Sequence, residues 1–347
     1  MDRSQLLFLQ SAMGLYFLAI LLYLIRFGTR SERMGGIASV IAWLGVVAQT
    51  AMLVERGITA RHVPLVSMYE YLVAFSWMVA ICYLVFEARS PRPREGAQAA
   101  AAPTLLLALG LLAYASTLPV LMKQPEELMP LLRSNWLIFH VSTAVVAYGA
   151  AGLASALACL YSVRWMLKSG TLVAGTAAAV ALVLLASLLH PYVRNLVTAT
   201  GWAGSATIAV LALLALVALA GRRGRWRVPR ADRWLDERLP AETALDRSVY
   251  RAVRFAFPFL TLVNVTGAVW AFNAWGRYWG WDAKETWALI TWLIYVFYLH
   301  ARLRAGWRPQ QTNAVVLVGI IAILFTFLGV SQLATFSDSL HSYASGG

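Results

Sequence analysis

Runs of about twenty mostly apolar residues follow one another along this chain, and that repetition limits its fold more than any other feature. A helix needs about 20 such residues to cross the hydrocarbon of a bilayer. Away from water, only helices and closed barrels satisfy every backbone N–H and C=O. Ten segments can be read, at about 6–25, 36–54, 67–86, 103–121, 136–163, 171–190, 202–220, 252–272, 286–301 and 313–334. With 60% hydrophobic and 13% charged residues, the chain carries more apolar surface than a soluble core can hide. A soluble enzyme and a disordered tail are both excluded. The sequence therefore predicts an all-α polytopic membrane protein, a single integral membrane domain over 1–347 with about ten transmembrane helices. No small-residue cleavage site follows the first segment, which is read as a retained helix. Cys82 and Cys159 stand alone inside apolar runs and read as small buried hydrophobes.

The charges then give the segments a direction. Alternate loops hold Arg26, Arg30 and Arg33; Arg89, Arg92 and Arg94; Arg164 and Lys168; ten arginines from Arg222 to Arg254; and Arg302, Arg304 and Arg308. These 21 basic residues share their face with eight acidic ones, while the opposite face holds eight of each. The whole net charge of +13 thus lies on one side. The positive-inside rule makes that side cytoplasmic and puts both termini outside. The basic excess records topology, and a nucleic-acid partner is rejected. Residues 221–251, with Pro229 and Pro240, read as a basic cytoplasmic linker near the headgroups.

On this topology His62, His140, His190 and His341 fall towards the outer face. His300, about 14 residues into a span that begins outside, lies roughly 21 Å deep by helix rise. His190 precedes Pro191 and His62 sits in a loop before Pro64, so capping or turn roles suit both. The outer loop 270–287 carries five tryptophans: Trp270, Trp275, Trp279, Trp281 and Trp287. An interfacial aromatic belt is one reading. A belt, however, needs neither Gly276 and Gly280 beside the indoles nor Asp282, Lys284 and Glu285 among them. Glycine lets backbone approach a flat ligand, and indole faces stack on one. A large planar ligand bearing carboxylates suits this composition, with Arg277 and Lys284 as anion partners. Haem fits, and the outer histidines could supply its axial nitrogens.

Trp275-Gly-Arg-Tyr-Trp-Gly-Trp-Asp-Ala-Lys-Glu-Thr-Trp287 resembles the tryptophan-rich WWD signature of haem-handling proteins. The run Leu289 to His300 and the tail Leu340-His-Ser-Tyr343 are similar to the CcsA (ResC-type) family, the haem-handling half of the system II cytochrome c synthase. Asn135-Trp136 with Phe139-His140-Val141-Ser142, and Ser67-Met68-Tyr69-Glu70, resemble further segments of that family. The resemblance covers 134–166 and 250–344, is weaker over 38–86, and is absent over 168–247. That last stretch reads as an insertion of two extra spans plus the linker. Ala283 stands where the motif usually has Pro, and Ser339 where the tail usually has Gly.

The resemblance implies that His140 and His341 are the outer axial ligands of a haem b held on the WWD loop, beside Trp275, Trp279, Trp281, Asp282 and Trp287. It implies that His300 serves a second haem position within the membrane, completed by a CcsB (ResB-type) partner. The implied activity is that of a cytochrome c haem lyase (holocytochrome c synthase), joining haem vinyl groups to the two thiols of CxxCH in apocytochrome c. Thiol-reducing proteins are further implied partners. The implied location is a bacterial plasma (inner) membrane or a thylakoid membrane. The chain need supply no nucleophile, because the thiols arrive with the substrate. A haem exporter or permease without synthase activity shares the loop and His300, and a scaffold with an aromatic belt is the third reading.

Overall fold

The computed structural model of the chain describes residues 3–90, 95–118, 123, 133–169 and 236–329. Among these residues every regular element is helical. They are α1 Arg3–Thr29, α2 Glu32–Ala60, α3 Met68–Arg89, the single turn α4 Glu95–Gln98, α5 Ala101–Thr117, α6 Asn135–Ser169, α7 Glu242–Trp275, α8 Ala283–Leu303 and α9 Pro309–Leu324, which runs on into a π-helical turn Phe325–Gly329. Seven stretches are long and apolar enough to cross a membrane: α1, α2, α3, Gly96–Thr117, α6, α7 and Pro309–Leu328. The chain is a polytopic membrane protein. The predicted span 286–301 is a helix of 21 residues, about 31 Å by helix rise. It falls outside the seven because charged ends and Trp and Tyr residues dilute its apolar run. The predicted spans 171–190 and 202–220, and the linker before 236, lie outside the described residues.

Helix α6 is the hub. It packs most extensively on α7 and also meets α3, α5 and α9. Its buried surface includes Ala147, Ala151, Ala154 and Ala158, small side chains that let neighbouring helices approach closely where apolar burial alone favours no partner over lipid. Cys159 faces outward and Cys82 is only half-buried, which corrects the expectation that both are core residues. A cysteine in an apolar run is also at home on a lipid-facing surface.

Helices alternate in direction, and the two ends of the bundle gather different chemistry. At one end Arg164 and Lys168 pair with Asp236, and Arg30 pairs with Glu237. Arg302 there grips Asp246 with two bonds of 2.7 and 2.6 Å, and Asn313 reaches the same carboxylate at 3.2 Å. Asp246 therefore ties α7, α8 and α9 together. At the other end the buried pair Arg56–Glu70 joins α2 to α3 at 2.8 Å. The second oxygen of Glu70 accepts the N–H groups of Val66 and Ser67, and Ser67 Oγ accepts that of Glu70. This reciprocal cap starts α3, so Ser67-Met-Tyr-Glu70 is a helix-start device.

Two local signals shape α7. Pro258, inside the helix, has no N–H to give the carbonyl of Arg254. Gly276 ends it at φ +71°, donating its N–H to Phe272 O at 2.8 Å. A left-handed stop of that kind favours glycine, and it turns the chain into the Trp-rich loop.

Candidate haem site

His140 lies in the second turn of α6, on the face that meets α7. Its Nδ1 is 3.0 Å from the carbonyl oxygen of Val263. A carbonyl only accepts, so Nδ1 is the donor in this contact, which leaves Nε2 as the ring nitrogen not engaged by Val263. Trp270, buried at the end of α7, lies parallel to the imidazole within 5° at 6.3 Å between centroids. Trp275 meets Trp270 edge-on at 4.9 Å.

The imidazole borders a half-open cavity of about 130 Å³. Tyr148 and Asn264 contribute walls from α6 and α7, while Trp279 and Lys284 close it from the loop and the start of α8. The indole Nε1 of Trp279 and Oδ1 of Asn264 are buried without a hydrogen-bond partner among the described residues. Unpaired buried polar atoms cost free energy, so both are atoms that a ligand could satisfy. Lys284 is partly buried; desolvation pushes its ammonium pKa down to about 8, against the opposing pull of Asp282. An imidazole, aromatic walls, and a lysine lining the same cavity as an indole N–H form a donor set that fits a carboxylated porphyrin.

The structure brings His140, Trp279 and Lys284 of the predicted set together at this cavity. Trp275 stands behind Trp270, and Trp287 packs on Phe325 at 4.3 Å. Arg277 folds over Gly280, where an added Cβ would come within 2.9 Å of its guanidinium. Asp282 does not line the cavity; it caps α8, accepting the N–H of Lys284 at 2.9 Å. Trp281 adopts φ +56° and is 72% exposed. Glu285 brackets it, accepting the N–H groups of Gly280 and Asp282 at 2.8 and 3.2 Å.

His300 is on the exposed face of α8, in line with Leu293 and Phe297. His341 and His190 lie outside the described residues. His62 holds the carbonyl of Val63 at 2.9 Å through Nδ1, in keeping with a turn role. Val263, Asn264 and Gly267 belong to no motif in the sequence, where Trp270 reads only as one loop aromatic. The available signal was Gly267, a small residue one turn before a buried tryptophan.

Residues 65–336 match the model of a family described as cytochrome C assembly protein. The chain is 34% identical over 318 residues to the cytochrome c biogenesis protein CcsA of Gloeobacter violaceus, covering 90% of this chain and 86% of that protein. To CcsA of Synechococcus sp. (strain CC9311) it is 31% identical over 340 residues, covering 95% and 96%. To CcsA of Parasynechococcus marenigrum it is 33% identical over 336 residues, covering 95% of each. Every cavity residue, from Met68 to Phe327, falls inside the matched stretch.

Proposed function

Because this chain belongs to the CcsA family of cytochrome c biogenesis proteins and so takes part in cytochrome c maturation, we propose that it is the haem-handling subunit of a system II synthase. In this reading haem b is the substrate, and His140 and His341 take its iron from opposite faces. The observation that carries the reading is the geometry of His140, whose Nδ1 is engaged by Val263, leaving Nε2 as the ring nitrogen that would ligate. A macrocycle bound there would lie against Tyr148, Asn264, Trp279 and Lys284, which line the cavity. Lys284 and Trp279 would then receive carboxylate oxygens, and Trp270 would back the ligating imidazole.

The chemistry asks little more of the chain. Each thioether forms when a thiol S–H of CxxCH adds across a haem vinyl C=C, with no leaving group and no nucleophile from this protein. Its contribution is orientation of the vinyl edges and exclusion of competing geometries. The substrate's own histidine can then replace one axial imidazole, coupling release to product formation. In this reading the Trp-rich loop lies on the extracytoplasmic face, opposite the basic residues, where apocytochrome c would be met. The exposed His300 would complete a second haem position with a CcsB-type subunit.

The test is the visible spectrum of the purified protein, with and without that partner. Wild type should hold haem with two nitrogenous axial ligands. His140→Gly and His341→Gly should each lose most of it, and added imidazole should restore part; His62→Gly should change little. An unchanged spectrum in the His140/His341 double variant defeats the assignment. Haem bound without covalent cytochrome c, when chain and partner are produced together, favours the exporter reading.

A further inference from the structure

Resting on the reading that His140 ligates haem iron, we propose that Val263 and Gly267 of α7 are positioning residues that fix His140 as its Nδ1–H tautomer and turn Nε2 to the cavity. A helical carbonyl has two lone pairs, one of which is taken by the N–H four residues on. The other is reachable only where no side chain covers the backbone. Gly267 is that opening. It lies one turn after Val263, and a Cβ there would stand 2.9 Å from Cε1 and 3.1 Å from Nδ1 of His140. Any other residue would push the imidazole off the carbonyl it holds at 3.0 Å.

The neighbouring hydroxyls reinforce the same proton position. Thr266 Oγ1 lies 3.5 Å from Nδ1, but its own proton goes to Leu262 O at 2.6 Å. It can offer the ring only a lone pair. Thr143 likewise donates to the His140 carbonyl at 2.7 Å. Val263 O and Thr266 Oγ1 are therefore both acceptors towards Nδ1, and the proton belongs on Nδ1. Trp270, three residues beyond Gly267, sets the plane of the ring by lying parallel to it. A ligating imidazole whose other nitrogen donates to a carbonyl is a stronger base, and losing such a partner costs about 10–100-fold in metal affinity.

The first measurement needs no haem. The full chain, ring-labelled with ¹⁵N at histidine and reconstituted in lipid nanodiscs, should show His140, identified by its absence in His140→Gly, with a protonated Nδ1 and a bare Nε2. A proton on Nε2 overturns the proposal. The second compares Gly267→Ala with Gly319→Ala, where an added Cβ is equally crowded, 2.8 Å from the ring of Tyr295, but away from His140. Gly267→Ala should lower haem affinity about 10–100-fold and shift the visible spectrum, with partial rescue by imidazole; Gly319→Ala should leave the spectrum unchanged. Equal losses in both variants, or none in Gly267→Ala, also overturn it. Should the wild-type complex hold no haem, the proposed function fails, and the tautomer measurement still decides this point.

Discussion

His140 and His300 are the same side chain in opposite situations. His140 is enclosed by its own chain: α7 supplies a carbonyl for Nδ1, a glycine for clearance and an indole against the ring. His300 has no hydrogen bond to its ring among the described residues and faces outward between Phe297 and Leu303, both exposed. An imidazole within a bilayer must still satisfy its nitrogens. The His140 ring is thus held by its own chain, whereas the His300 ring, on the proposed reading, would be completed by another subunit. On that reading the contrast would separate what this chain does alone from what it does with a partner.

The largest effect should come from probing His300. His300→Ala should cost the complex with a CcsB-type partner at least about tenfold in haem content, since losing a ligand exceeds losing its outer partner. The same substitution in the isolated chain should leave the spectrum as it was. Equal loading of mutant and wild-type complexes would reduce the contrast to one of packing.

Charge at the enclosed site comes next. Lys284 loses its proton as pH rises through about 8, so it attracts carboxylates below that value and not above. Haem affinity should fall across pH 8 by about tenfold, in line with roughly 1.5 kcal/mol for a charge-assisted bond. Lys284→Arg should flatten the profile, and Lys284→Met should hold it at the high-pH level. Titration of the binding constant checks this, and a pH dependence that survives Lys284→Met rules the lysine out.

The smallest effect tests the loop's outermost indole. Trp281 occupies a left-handed backbone conformation that costs a non-glycine residue about 1–2 kcal/mol. Trp281→Gly should therefore stabilise the protein by about 1 kcal/mol with little change in haem content, measured by thermal unfolding alongside the spectrum. A large loss of haem would mean that the ligand reaches beyond the cavity to the exposed indole.

The helices were legible because twenty-residue apolar runs have few alternatives in a bilayer. α8 was legible as a helix, although its polar ends shorten its apolar run. In the site, His140 and Lys284 could be found because a histidine or a lysine in an apolar setting demands a reason. The shell around His140 could not, since its contacts join residues 123 positions apart and no periodicity reports which helices pair. Asp282 shows the opposite error. A carboxylate among tryptophans reads as chemistry, yet with Glu285 three residues on it forms the box that starts α8.

Helix α7 has 34 residues and is therefore about 51 Å long, against hydrocarbon about 30 Å thick. Its exposed arginines Arg247, Arg251 and Arg254 fall in the first half, so the surplus length stands beyond the hydrocarbon at the basic end. There the stalk is held through Asp246 to α8 and α9. A continuous hydrogen-bonded rod would carry any tilt of that stalk straight to Gly267 and the imidazole resting on it. Pro258, with its missing bond, sits between lever and load, where the rod is one hydrogen bond weaker.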